Sequence, residues 1–418
     1  MDPEVVVWRR LQSQMLRGPG AVSPEGALRN LLAVQAQEFP YARWSLAQRV
    51  SPHETFAGPA AVGLAPAAAT AAGIEAAVAD GRILRTHILR PTWHFVHRDD
   101  LRWLLALSAP RLHQGNAGMY RSTGIDAAAA ARGGQVLARA VAGGQHLTRE
   151  QLAARLQDAG FTGKGLELAY LIMHAEISGV LVSGSPVRSR GGALKQTYAL
   201  FDERVPAGPG APPTREEALA ELALRYFSSR GPATVKDCAD WSGLTMADVR
   251  QGLLLAMDRH PEALASTAID GVVFYYGAFY DGAGAGAGTE AGARAGAAPD
   301  HGRAPSPAGP RIDLIQCYDE YVMGYSATRH YLGGSAPALP VDGALMHVVL
   351  LDGRMAGCWR HRLLPGRCEL DIRLFGGAVP APGSALDDAI GEAVDRYGAF
   401  LGTPTVRVPA GAKLEGHT

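Results

Sequence analysis

The sequence predicts an α+β fold built from tandem winged-helix units and closed by a C-terminal α+β segment. Three observations predict it. A helix–helix–strand–turn–strand order is readable between residues 24 and 96, a similar order recurs between 148 and 201, and a third helical run follows a Pro/Gly/Ala-rich stretch at 206–213. At 418 residues, 47% of them hydrophobic, the chain is long enough for two to four domains with real cores. The expected units are 1–125, 126–206 and 207–280, then an insertion at 281–310 and the segment 311–418.

The first unit opens at Ser23-Pro24-Glu25, where Ser caps a helix and Pro takes the first helical position. Leu28, Leu31, Leu32 and Gln35 recur at helical spacing, so the helix is expected to run to the Gln35 region and stop at Pro40. A short helix is expected over 74–79, then strand-like runs over 83–89 and 92–96 around Arg90-Pro91. Asp99-Asp100 opens a helix carrying Leu101, Leu104, Leu105 and Leu107. In the second unit Thr148 and Gln151 form a capping-box pattern before a helix ended by Gly160. A second helix is expected over 166–177, and strands at 180–183 and 196–201 flank a basic loop with Arg188, Arg190 and Lys195. Helices at 216–228, 234–242 and 246–257 and a strand at 272–279 make the third unit. The Gly/Ala tract at 281–310 lacks the apolar content to offset ordering entropy and is expected to be disordered. In the last segment strands are expected at 312–315, 347–351, 355–359 and 368–374, with Asp352-Gly353 as a hairpin turn, then a helix at 386–400 and a strand near Val406.

Composition narrows the function classes. Forty basic side chains balance forty acidic ones, so no global positive field announces a nucleic-acid partner and any such surface must be local. The basic side is nearly all Arg; Lys164, Lys195, Lys236 and Lys413 are the lysines. Cys238, Cys317, Cys358 and Cys368 form no C-x-x-C pair, and there is no phosphate loop, nucleophile elbow or H-E-x-x-H, so neither a metal nor an organic cofactor is expected. His87, His94 and His97 read as core or groove-lining residues rather than metal ligands. No signal-peptide pattern or apolar run of about 20 residues is present, which makes the cytoplasm the expected compartment. No coiled-coil segment argues for a dimer, so a monomer is expected.

Val34-Gln35-Ala36-Gln37 precedes Phe39-Pro40-Tyr41-Ala42-Arg43-Trp44. Taken alone, two glutamines around one apolar residue read as a polar helix end. Further on stand Arg85-Thr86-His87-Ile88-Leu89-Arg90-Pro91-Thr92-Trp93-His94-Phe95-Val96, then Tyr318-Asp319-Glu320-Tyr321 with Gly324-Tyr325, then Asp352 to Arg360. In this order these motifs resemble those of the AlkZ-like DNA glycosylases, and the resemblance covers most of the chain outside 281–310. Pro91 and Trp93 stand where small or aliphatic residues are more usual in that family. The resemblance implies a C-shaped tandem winged-helix fold that holds double-stranded DNA with alkylated bases on its concave face, nucleoid-associated when bound. It also implies that Gln35 and Gln37 are the catalytic pair.

Glutamine suits such chemistry. Breaking an N-glycosidic bond passes through an oxocarbenium-like sugar, and N7- or N3-alkylated purines already carry positive charge, so they leave with little help. A carboxamide removes no proton at neutral pH, but it donates and accepts hydrogen bonds and so can hold a water in line. None of the four lysines lies in a matching motif, so a monofunctional enzyme is expected. Arg85, Arg90, Trp93 and His94 around the first strand pair, and Arg188, Arg190 and Lys195 on the second wing, are the expected DNA contacts. Asp319 and Glu320, read as strand neighbours, would face opposite ways, and a cap or salt bridge is their plain role. The alternatives are a non-catalytic winged-helix transcription regulator and a protein that sequesters a DNA-reactive molecule without cutting.

Overall fold

The computed structural model describes residues 1–51, 69–189, 194–208, 210–278, 309–333 and 347–409. The expected disordered insertion at 281–310, except its last two residues, and Arg190 lie outside them. A helix the sequence did not announce opens the chain: Asp2 caps α1 (Pro3–Ser13). Ser23 then caps α2 (Pro24–Leu31) by accepting from the Gly26 N–H at 3.1 Å. Here the expected course fails. Leu32 takes φ +65°, which ends the helix, and the chain turns into β1 (Ala33–Gln35). Gln35 therefore lies on a strand and not at a helix end. Pro40 does not stop a helix either; it sits in the first turn of α3 (Phe39–Ala47), where its missing N–H costs nothing.

Thr70 caps α4 (Ala71–Ala79), and β2 (Ile83–His87) and β3 (Trp93–His97) follow. These form an antiparallel sheet in the order β1-β3-β2, so β1 is an edge. The helix opened at residues 99–100 is long: α5 (Arg98–Ser122) carries Pro110 inside it, and α6 (Ala127–Val141) succeeds it. The second unit runs β4 (Leu147–Thr148), α7 (Arg149–Asp158), α8 (Gly165–Ile177), β5 (Leu181–Ser183), β6 (Val187–Arg188), β7 (Leu194–Lys195) and β8 (Thr197–Leu200). Its sheet has the order β4-β8-β5, β6 and β7 pair as a separate hairpin, and the Thr148–Gln151 capping box is formed. A short α9 (Phe201–Arg204) leads on to α10 (Arg215–Arg230), α11 (Val235–Ser242) and α12 (Met246–Arg259), each opened by a capping box. A Cβ at Gly252 would stand 2.3 Å from the Leu219 carbonyl oxygen, so only glycine lets α12 approach α10 this closely. A hairpin of β9 (Leu264–Ile269), which the sequence reading lacked, and β10 (Val272–Gly277) completes this part.

In the last segment β11 (Ile312–Ile315) and the short α13 (Glu320–Met323) precede β12 (His347–Leu351), β13 (Arg354–Leu364), β14 (Arg367–Leu374), α14 (Ala385–Leu401) and β15 (Thr405–Arg407). The sheet order follows the chain order, β11 to β15, with only the last pair parallel. Asp352 and Gly353 both have positive φ, the geometry of the expected hairpin turn.

The cores explain how β1 is held. Val34, Trp44, Ile74 and Phe95 share one apolar cluster with Leu314, Trp359, Tyr397 and Phe400 of the last segment. Ala33, Leu84 and Val96 share another with Leu219, Tyr226 and Trp241 of the α10–α12 region. Successive residues of β1 thus face different cores, as period-two alternation requires. Residues between Tyr120 and Tyr198 keep a cluster of their own.

Candidate functional site

An edge strand exposes backbone groups that need partners. On β1 they come from distant side chains. Arg230 Nη2 donates to the Ala33 carbonyl at 3.1 Å, the Gln35 N–H donates to Glu320 Oε1 at 2.9 Å, and Gln316 Nε2 donates to the Gln35 carbonyl at 3.2 Å. Glu320 is wholly buried and accepts from Arg230 Nη2 and Trp241 Nε1, both at 2.7 Å. Asp319 is equally buried, caps α13 and takes two hydrogen bonds from Arg49. The strand expected for this acidic pair is not there: β11 ends at Ile315 and both carboxylates point inward onto arginines.

Gln35 pairs in register with His94 on β3, which puts the two side chains on one face. Arg90 joins them. Its Nη2 donates to Gln35 Oε1 at 2.8 Å and lies 3.3 Å from His94 Nε2, while its Nη1 donates to the Trp241 carbonyl at 3.1 Å. Burial, with the Arg90 charge second, pushes the His94 pKa well below its ordinary value, so the ring is neutral at physiological pH. Its Nδ1 donates to the Thr92 carbonyl at 2.9 Å, leaving Nε2 as the acceptor toward Arg90.

Gln35 is buried, with 3% of its surface exposed, whereas Gln37 is exposed. Between them the Ala36 N–H donates to the Trp93 carbonyl at 2.7 Å, and the Trp93 N–H donates to Gln37 Oε1 at 3.4 Å. Arg85, expected among the DNA contacts, is buried and turned inward. It donates to the carbonyls of Ala36 (2.8 Å) and Gln37 (3.2 Å) and to Gln196, and stacks on the half-buried Trp93 ring at 4.4 Å. Burial lowers its pKa to about 10, still charged. Arg85 thus wraps the Gln35–Gln37 segment.

Arg188 and Lys195 stand exposed on the β6–β7 hairpin. Arg188 Nη2 pairs with Glu75 at 2.6 Å and Lys195 Nζ with Glu150 at 3.0 Å; the Lys195 hydrogen bond is the main cause that lowers the Glu150 pKa to about 2. Sequence reasoning missed the partners from afar, Gln316, Trp241 and Arg230, which no local pattern marks. It also missed Glu38, beside Gln37, whose carboxylate lies 3.5 Å from His347 Nε2 and whose pKa burial raises. Among the described residues no group of three or more His, Cys, Asp or Glu is placed to hold a metal ion.

The sequence matches the model of the AlkZ-like DNA glycosylases over residues 28–400. The chain belongs to that family. This AlkZ-like glycosylase also resembles the solved DNA glycosylase AlkZ of Streptomyces sahachiroi, with a TM-score of 0.66 at 20% identity, covering 98% of this chain and 100% of the other; the likeness is one of fold. None of the curated proteins matches it. As a DNA glycosylase the AlkZ-like chain has DNA as its partner. Among its described residues no helix is long and apolar enough to cross a membrane.

Proposed function

We propose that this glycosylase is monofunctional and releases cationic purines, of the N7-alkylguanine or N3-alkyladenine type, from double-stranded DNA. Gln35 and Gln37 hold the water that attacks the sugar. The observation that carries the reading is the contrast at the motif: Gln35 is fixed by Arg90, Glu320 and Gln316, while Gln37, two residues on, is exposed to an incoming substrate. Amides suffice because the leaving base is already charged and needs no general acid.

In this reading residues 1–125, 126–206 and 207–280 are tandem winged-helix units whose concave face receives the duplex, and the chain works as a monomer in the cytoplasm, on the nucleoid. Arg188, Arg190 and Lys195 rest on phosphates; Arg90 and His94, beside Gln35, and Trp93, whose N–H meets Gln37, contact the DNA near the extruded base. Arg85 supports the motif from within. No lysine serves as a Schiff-base nucleophile: none of the four lies in one of the site's motifs, and Lys195 and Lys236 are exposed and paired with Glu150 and Asp240.

The test is base release from duplexes carrying N7-methylguanine or uracil. Release of the methylated base without strand nicking, and its loss in Q37A with DNA binding retained, is expected. Equal release of neutral uracil would sink the reading, because two amides give a neutral base no proton.

A further inference from the structure

We infer that Arg90 is a positioning residue that makes Gln35 the hydrogen-bond donor of the reaction centre and leaves the acceptor role to Gln37. The inference rests on the reading that the two glutamines hold the attacking water, and adds a division of labour between them.

A carboxamide has a donor end and an acceptor end of nearly equal shape, and its surroundings decide which faces the substrate. A guanidinium has no acceptor, so the atom of Gln35 that meets Arg90 Nη2 at 2.8 Å is the oxygen. Turning the amide over would set its N–H groups against N–H groups. Arg90 itself is held on two other sides, by the Trp241 carbonyl and by His94 Nε2, and the His94 tautomer is fixed by its Nδ1 bond to the Thr92 carbonyl. The Gln35 backbone is pinned through both its N–H and its carbonyl. Every contact in the chain from Thr92 to Gln35 therefore has a donor facing an acceptor, and the result is one orientation. Among the described residues none accepts a hydrogen bond from Gln35 Nε2, so that N–H is the end left for substrate or water.

Gln37 is complementary. It follows Gln35 by two residues in the bend after β1, and among the described residues its Oε1 takes only the long 3.4 Å bond from the Trp93 N–H, so one lone pair is left. A water that accepts from Gln35 Nε2 and donates to Gln37 Oε1 keeps a lone pair for the anomeric carbon. As its C–O bond forms, the N-glycosidic bond breaks and the bonding pair leaves with the purine, neutralising its charge. The surplus proton passes from the water to bulk solvent.

Two sets of variants test this in the full chain, with release of N7-methylguanine, measured over a range of DNA concentrations to give kcat and KM, as the readout. Q35E keeps shape and the Arg90 contact but replaces the donor by a second acceptor. Its rate should fall by about 10²-fold, the usual consequence of losing one preorganised donor. A rate near wild type overturns the inference, since a carboxylate beside a cationic transition state would help if no donor were needed. R90M frees the amide and should lower kcat with KM unchanged, and R90K, which restores one donor, should recover part of it. A rise in KM at constant kcat in R90M would instead mark Arg90 as a plain DNA contact and overturn the inference. If R90M does not fold, Q35E still decides. Q35A and Q37A separate the two levels. Should both release base at the wild-type rate, the reading beneath fails and takes the inference with it. Should both be inactive while Q35E and R90M keep full kcat, only the inference fails.

Discussion

Glu320 shows how much of this site is made by single buried side chains. It accepts from the Gln35 N–H and from Arg230 and Trp241, all within the core, so it joins the edge of β1 to the helices. Glu320→Gln keeps the volume but leaves the Arg230 charge uncompensated, and breaking a buried pair from one side costs about 3–5 kcal/mol. A urea midpoint for E320Q close to wild type would contradict that burden. His347 makes a second case at the same scale. Burial drives its pKa from 6.5 to about 3. Between those values the unfolded chain binds a proton that the native chain does not. Stability is therefore complete above about pH 6.5 and is lost as pH falls toward 3, at up to about 1.4 kcal/mol per pH unit. His347→Gln, which can still accept from the Cys317 N–H, should flatten this decline in urea unfolding from about pH 7 to about pH 4. Parallel profiles for the two proteins would assign the acid sensitivity to other groups. Neither residue was legible in the sequence as a partner of the motif, since nothing local links position 320 or 347 to positions 35 and 38.

Among the elements, what could be read was what local chemistry decides. Ser23 and Thr148 cap their helices as expected, and Asp352-Gly353 turns as expected. What could not be read was decided by distant contacts. Leu28, Leu31, Leu32 and Gln35 fit a helix by spacing, yet Leu32 breaks it, because β3 and the side chains of the last segment offer Ala33 to Gln35 a strand environment. The catalytic candidates were thus found by motif while their element was misjudged. For the β6–β7 hairpin the proposed role gives a measurable slope. Lys195 forms an exposed ion pair with Glu150, which contributes little to folding, so K195A should leave the melting temperature nearly unchanged. If Lys195 sits on a phosphate, K195A should also reduce the slope of log affinity against log salt by about one. An unchanged slope would move the duplex away from this hairpin.

Over the whole molecule, the order of motifs along the chain was enough to indicate the family, yet the units drawn from the order of helices and strands do not each own a core. The first strand pair shares its apolar contacts with the last segment on one side and with α10–α12 on the other, and the polar bridge Gln35–Glu320–Arg230 crosses the same joint. Among the described residues, the stretch from Tyr120 to Tyr198 closes most of a cluster within itself, with Val182 packing into the core shared with α10–α12. Cooperative unfolding follows shared burial, because no partner in a common core can open without exposing the others. Two opening units are therefore expected in native-state hydrogen exchange. Amides of α6 to β8 should lose protection at one opening free energy, while those of β1 to β3, α10 to α12 and β11 to β14 should lose it together at another. E320Q, placed at the joint, should lower the second value and leave the first unchanged. A mutant that lowered protection equally in both would mean that the α6–β8 region depends on the joint for its fold, against the closure of its own core.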